Sequence, residues 1–240
     1  MKNKKWLAMV FFAALAIVLT APAAWSYEEV KIADAGAITG KITFKGDVPM
    51  RKIIPTKDQE VCGSIRDEPL VKAGPDGGVA EAVVYLKDAA KGKKWDKPKK
   101  SPVLDNRKCS FTPHVQVIPA GMNVAIHNSD PVLHNTHGFL IKATVFNVAM
   151  PKQGMQVEKL LRKPGIVRVE CDAHGWMLAW IYVADNPYYA VTGKDGSFAI
   201  RDVPPGQYTM VVWQEHTGAV EVPVTVKPKE TASVPVEIKK

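Results

Sequence analysis

No segment of this 240-residue sequence repeats apolar residues at helical spacing between recognisable caps, so architectures built from long amphipathic helices are not supported. Several catalytic signatures are missing as well. There is no Ser/His/Asp set, no paired-carboxylate arrangement and no glycine-rich phosphate loop, which argues against an enzyme. Arginine is scarce within the basic complement, and no nucleic-acid partner is indicated. Cysteine is limited to Cys62, Cys109 and Cys171. Beyond Thr20 no apolar run is long enough to cross a bilayer.

The N-terminus does carry a secretory pattern. Lys2, Lys4 and Lys5 precede an uncharged apolar run from Trp6 to Thr20, and small residues lead to a cleavage site at Ala24-Trp-Ser26. Residues 1–26 therefore read as a signal peptide that exports the chain to a bacterial periplasm or cell surface. The alternative is an uncleaved anchor, for which the run is short. No cysteine near the cleavage region offers a lipoprotein anchor, and no stable membrane span is expected after cleavage. The formal charge is +8. Since the three signal lysines leave with the signal, the mature chain carries about +5. Seven lysines between Lys87 and Lys100 stand against Asp88 and Asp96. That stretch reads as a solvated loop, with a basic patch steering an acidic redox partner as the alternative.

The rest of the chain is patterned for strands. Apolar and polar residues alternate in Ala37–Phe44, Ala82–Leu86 and His114–Ile118, and the runs Ile166–Glu170, Trp180–Val183, Tyr208–Trp213 and Val222–Val226 behave alike. Pro- and Gly-rich turns such as Lys194-Asp-Gly-Ser197 and Pro204-Pro-Gly-Gln207 separate them. Many short strands at regular spacing predict an all-β protein of sandwiches rather than a parallel sheet.

One motif carries chemistry. Cys171-Asp-Ala-His174-Gly-Trp-Met177 offers a thiolate, an imidazole and a thioether, and His134-Asn-Thr-His137 adds an imidazole from another segment. A thiolate, two imidazoles and a weak axial thioether form the blue-copper set, in which soft sulfur favours Cu(I) while the imidazoles accept Cu(II). Each residue alone has an ordinary reading as a loop histidine, a buried thiol or a core methionine. The competing metal is zinc, with His137 replacing Met177 in a closed tetrahedral site. Residues three apart on an extended segment face opposite sides, so His134 and His137 are not expected to share one metal. With Cys171 committed to copper, Cys62 and Cys109 remain to pair as a disulfide in an oxidising compartment. The alternative leaves both as buried thiols. His127 reads as a packing residue, and His114 and His216 as solvent-facing. Met122, Met150 and Met155 are scattered and read as core or loop residues.

From about Arg107 to Val183 the chain resembles the cupredoxins, most closely the amicyanin group. The resemblance rests on Phe111-Thr-Pro113, Pro119-Ala-Gly-Met122, Asn123–Asn128, Pro131–His137 and the short Cys171–Met177 loop with two residues between successive ligands. It implies a Greek-key sandwich holding one type 1 copper through His134, Cys171, His174 and axial Met177. It further implies that the Asn135 backbone N–H bonds the Cys171 sulfur while the Asn135 side chain ties the two ligand loops together, and that His174 is the ligand nearest the surface. Gly175-Trp176 departs from the proline and phenylalanine of that group, which leaves Trp176 either as a docking surface for a partner or as a shield over the metal. A second resemblance involves Tyr189–Phe198 and Val203–Tyr208, which are similar to carboxypeptidase regulatory-like domains, small transthyretin-like sandwiches. The first strands of that family look like Ile38–Phe44 and Ala82–Leu86, which lie far upstream. A discontinuous sandwich of residues 36–90 and 186–240 is therefore expected, with the cupredoxin unit, 101–185, inserted in it. The alternative is two consecutive, adjacent domains.

The function these readings imply is electron transfer outside the cytoplasm, between redox partners such as a c-type cytochrome and a copper or quinoprotein oxidoreductase. Two alternatives remain, a cell-surface binding or assembly module and a periplasmic copper-delivery protein. No feature of the sequence fixes an oligomeric state.

Overall fold

The computed structural model describes residues 27–87 and 89–240, so the signal segment lies outside the described residues. Among these, regular structure is strand throughout, except for one four-residue helix, Gln59–Cys62. No described helix is long and apolar enough to cross a membrane.

Two sandwiches account for most of the described residues. In the first, strands Tyr189–Val191, Val83–Lys87, Gly206–Gln214 and Gly218–Val226 lie in that order in one sheet. The facing sheet places Gly36–Phe44 beside Ser197–Val203, with Thr231–Ser233 and Val236–Ile238 pairing along its other edge. Alternation drives this packing. Ser197–Val203 turns Phe198, Ile200 and Val203 inward, and they meet Ile38, Ile42, Val84, Leu86, Met210 and Val212 in one buried cluster. Each such aliphatic side chain contributes about 1.5–3 kcal/mol of burial. Gly40 is required by closeness: a Cβ there would stand 2.2 Å from the Val234 carbonyl oxygen and 2.7 Å from the Phe198 ring.

The second sandwich is built between the two halves of the first. One sheet orders Gln156–Leu160, Asn123–Asn128, Val103–Arg107 and Ser110–Thr112; the other orders Ala143–Met150, His134–Leu140, Gly165–Cys171, Leu178–Ala184 and Val115–Pro119. Its core is separate, formed by residues such as Leu104, Ile118, Ile126, Met150, Val169 and Ile181. The sandwiches meet through Val83, Val115, Tyr182 and Ala184, with Tyr85 stacked on Tyr182 at 4.3 Å and Trp180 edge-on to Trp213 at 5.1 Å.

Two stretches differ from the sequence reading. Residues 36–90 are expected to lie wholly within the first sandwich, as its half opposite 186–240. Instead, the hairpin formed by Met50–Ile53 and Arg66–Pro69 leaves it, and the helix between these strands inserts Cys62 into the core of the second sandwich, with Val61 packed against it. The apolar face of so short a helix can be buried only against another element. The lysine-rich stretch is also more than a solvated loop, because Trp95 packs into the junction and Lys93 Nζ bonds the Arg201 carbonyl oxygen at 2.9 Å.

Candidate metal centre

His134 opens the strand His134–Leu140, and Cys171 closes the neighbouring strand Gly165–Cys171. Antiparallel pairing sets Thr136 opposite Cys171, which brings the ends of the two strands together. The chain then turns back at once into Leu178–Ala184. The N–H of His174 bonds the Cys171 carbonyl at 3.2 Å and that of Met177 bonds the His174 carbonyl at 2.9 Å, so this loop is wound tightly and carries three of the sequence-predicted ligands.

Three donor atoms converge there. Cys171 Sγ lies 3.7 Å from His134 Nδ1 and 3.7 Å from His174 Nδ1, and the two Nδ1 atoms are 3.1 Å apart. A metal held by two imidazoles and a thiolate at the usual bond lengths in a plane would separate nitrogen from sulfur by about 3.7 Å and nitrogen from nitrogen by about 3.5 Å. The donor triangle fits. Both histidines are fully buried and Cys171 is 1% exposed. Met177 is buried in the same core.

The outer ring nitrogens decide what the inner ones can be. His134 Nε2–H donates to Asp130 Oδ2 at 3.0 Å, and His174 Nε2–H donates to Asp58 Oδ2 at 2.9 Å. Carboxylates accept only, so a ring that carries a single N–H presents a bare lone pair at Nδ1. The Cys171 S–H can satisfy only one of two such lone pairs, whereas a cation placed between the three atoms satisfies all of them. Burial pushes the Cys171 thiol up, against the pull of the Asn135, His174 and Ala173 amides; burial likewise holds His134 below its ordinary value, against Asp130. A thiolate is thus disfavoured in this pocket without a positive partner, and a bound metal supplies one.

Behind the donors stand two carboxylates, Asp130 and Asp58, that the sequence reading missed. Asp130 also accepts the N–H groups of Lys108 and Cys109 at 2.7 and 2.8 Å, and its own N–H bonds Asn128 Oδ1. Cys109 is joined to Cys62, with Cα atoms 4.9 Å apart. The two cystine sulfurs and a His174 ring nitrogen lie within 4.8 Å of one another, as do Cys109 Sγ, an Asp130 oxygen and a His134 ring nitrogen. The Asn128-Ser-Asp130 turn four residues before His134 was a readable signal for Asp130. Nothing local to the motif pointed to Asp58.

Other expectations fall unevenly. The Asn135 N–H bonds Cys171 Sγ at 3.4 Å. Its side-chain Oδ1, expected to tie the ligand loops together, is buried without a partner; the link is instead the Asp172 N–H donating to the Asn135 carbonyl at 3.1 Å. His174 is not the ligand nearest the surface, because the helix Gln59–Cys62 and Asp58 cover it. His137 points away from the donors and interacts with Asp172 and Thr144. His114 is not solvent-facing; it bridges the sandwiches between the Leu178 carbonyl and Glu215. Trp176 stacks obliquely on His174 with ring centres 5.1 Å apart. With Met177, it also lines a cavity of about 270 Å³ whose other walls include Arg51, Arg66 and His114.

Comparison with known proteins gives partial matches. A family model described as polysaccharide lyase family 4, domain II, matches residues 165–234. No curated protein is significantly similar to the chain. Among solved structures, a purple cupredoxin from Nitrosopumilus maritimus is 21% identical, with 35% of this chain and all of that chain covered and a TM-score of 0.32. Amicyanin from Paracoccus versutus is 20% identical over 37% of this chain and 86% of its own, with a TM-score of 0.33. A copper-containing nitrite reductase from Thermus scotoductus is 21% identical over 40% of this chain and 26% of its own, also with a TM-score of 0.33.

Proposed function

We propose that the protein is an exported electron carrier in which Cys171, His134 and His174, with Met177 beside them, would hold one type 1 copper. The observation that carries this reading is the pair of bare Nδ1 atoms facing a buried thiol, each imidazole anchored from behind by a carboxylate. Copper bound there supplies a one-electron couple, which sulfur and nitrogen ligation together keep accessible in both directions. The residues do the rest. Two anchored rings and a cysteine held by the Asn135 amide need little rearrangement when the charge changes, which favours fast exchange. Burial of all three donors keeps water and substrates away, which favours transfer over catalysis. Trp176, in contact with His174 and lining an open cleft, offers a redox partner its approach. That partner is a c-type cytochrome or an oxidoreductase. The Cys62–Cys109 disulfide suits an oxidising compartment, as the N-terminal segment does.

The test is the absorption and EPR spectrum of the oxidised, copper-loaded protein, followed by voltammetry. An intense visible thiolate band and reversible cycling without metal loss are expected. A colourless oxidised protein overturns the reading, and ready surrender of copper to modest chelators supports metal delivery in its place.

A further inference from the structure

Asp58 is 116 positions from His174 in the chain and belongs to the hairpin excursion that starts from the first sandwich. Its local geometry is unusual. It precedes the helix Gln59–Cys62 at the N-cap position, where an aspartate ordinarily accepts a helix N–H, yet it makes no side-chain cap. Its backbone is left-handed, with φ 50° and ψ 38°, a conformation that costs a non-glycine residue about 1 kcal/mol. The carboxylate thus gives up its local role and reaches His174 Nε2 at 2.9 Å. One helical turn later, Cys62 is bonded to Cys109, the residue whose N–H rests on Asp130, the anchor of His134. Each candidate ligand histidine therefore has its own carboxylate, and one disulfide ties the two carboxylate-bearing segments together.

We infer that Asp58 is a positioning residue of the metal centre, delivered by a lid whose clasp is the Cys62–Cys109 disulfide, so that the lid governs how fast metal leaves. This rests on the reading of His134, Cys171 and His174 as ligands, but not on the identity of the metal. With the clasp closed, Asp58 fixes the His174 ring with Nδ1 toward the centre, and the helix covers the ring. With the clasp open, the packing of Val61 and the Asp58–His174 bond are left to hold the four-residue helix against the second sandwich.

The experiment loads the mature protein, separately, with Cu(II) and with Co(II), whose thiolate absorption reports Cys171 without redox chemistry. Loss of each metal to excess EDTA is followed optically. Asp58→Ala is expected to speed loss about ten- to a hundredfold, the usual effect of removing a partner that orients a metal-bound histidine. Asp58→Asn, which keeps an acceptor oxygen, is expected to fall between Ala and the parent and to keep the parent spectrum. The Cys62→Ser/Cys109→Ser double variant is expected to lose metal faster as well, and Asp58→Ala in that background to add much less than it does alone, because both act through one lid. Glu60→Ala, on the exposed side of the helix, serves as the control and should match the parent. Loss rates for Asp58→Ala and Asp58→Asn within twofold of the parent overturn the inference, as do fully additive effects of the lid and clasp variants. A copper form without colour, alongside Co(II) loss that still depends on Asp58, sinks the electron-carrier reading and leaves the lid standing.

Discussion

Asp130 accepts a 3.0 Å hydrogen bond from His134 Nε2 with the same carboxyl group that receives the N–H groups of Lys108 and Cys109. The His134 imidazole and one half of the disulfide are thus held by a single buried side chain, 4% exposed. Replacing Asp130 by alanine leaves these donors unpaired in the core, and each buried unpaired donor costs about 1–3 kcal/mol. A loss of roughly 3 kcal/mol in unfolding free energy is expected for Asp130→Ala. Urea titration of the metal-free protein checks it. A change under 1 kcal/mol would mean that water enters and replaces the carboxylate.

The ligand loop makes a sharper claim. Cys171→Ser is expected to abolish the visible band of the copper form while leaving the far-ultraviolet circular dichroism unchanged, because His134 and His174 are placed by strands and carboxylates rather than by the sulfur. Met177→Leu should keep the colour and raise the reduction potential, since the axial thioether tunes the couple without forming the plane. Met177 packs in an apolar core, so leucine, similar in volume, should cost less than about 1.5 kcal/mol. A bleached Met177→Leu protein would give Met177 a larger part in holding the metal.

How much of this centre can be read from the sequence depends on chain distance. Alternating apolar and polar residues made strands legible, as in Gly36–Phe44 and Gly165–Cys171, because period-two patterning is local. Cys171, His174 and Met177 were legible because one short loop carries all three. The His174 surroundings were not. Asp58 lies in an ordinary polar loop whose meaning arises only when the hairpin folds across onto the second sandwich. The burial of His174 follows from the same contact.

The disulfide separates stability from spectroscopy. Cys62 and Cys109 close a loop with a sequence separation of 47. The chain-entropy model assigns such a closure about 4 kcal/mol. Cys62→Ser is expected to lower the denaturation midpoint accordingly. Its absorption maximum should stay near that of the parent, because neither cystine sulfur belongs to the donor triangle. Denaturant titration and a visible spectrum of one preparation check both halves. A lost band in Cys62→Ser would place the disulfide inside the ligand set.

The junction between the sandwiches should weaken in acid. Glu215 lies in the turn between the strands Gly206–Gln214 and Gly218–Val226 of the first sandwich. It accepts hydrogen bonds from His114 Nε2 and Trp180 Nε1 of the second, each at 2.6 Å. Burial pushes the Glu215 carboxyl up, but these bonds and the nearby Arg51 outweigh it and hold the group below its ordinary value. A carboxyl lowered by folding adds stability that is fully present above its unfolded value of about 4.3 and is lost as pH falls through the lower folded value. Glu215→Gln cannot ionise, so it should cost about 1–2 kcal/mol at neutral pH and flatten this part of the acid dependence. Urea midpoints measured from pH 7 down to about pH 3 should therefore converge for the parent and the variant as the parent carboxyl takes up its proton. Parallel curves across that range would show that Glu215 contributes through packing, and that its charge does not hold the two sandwiches together.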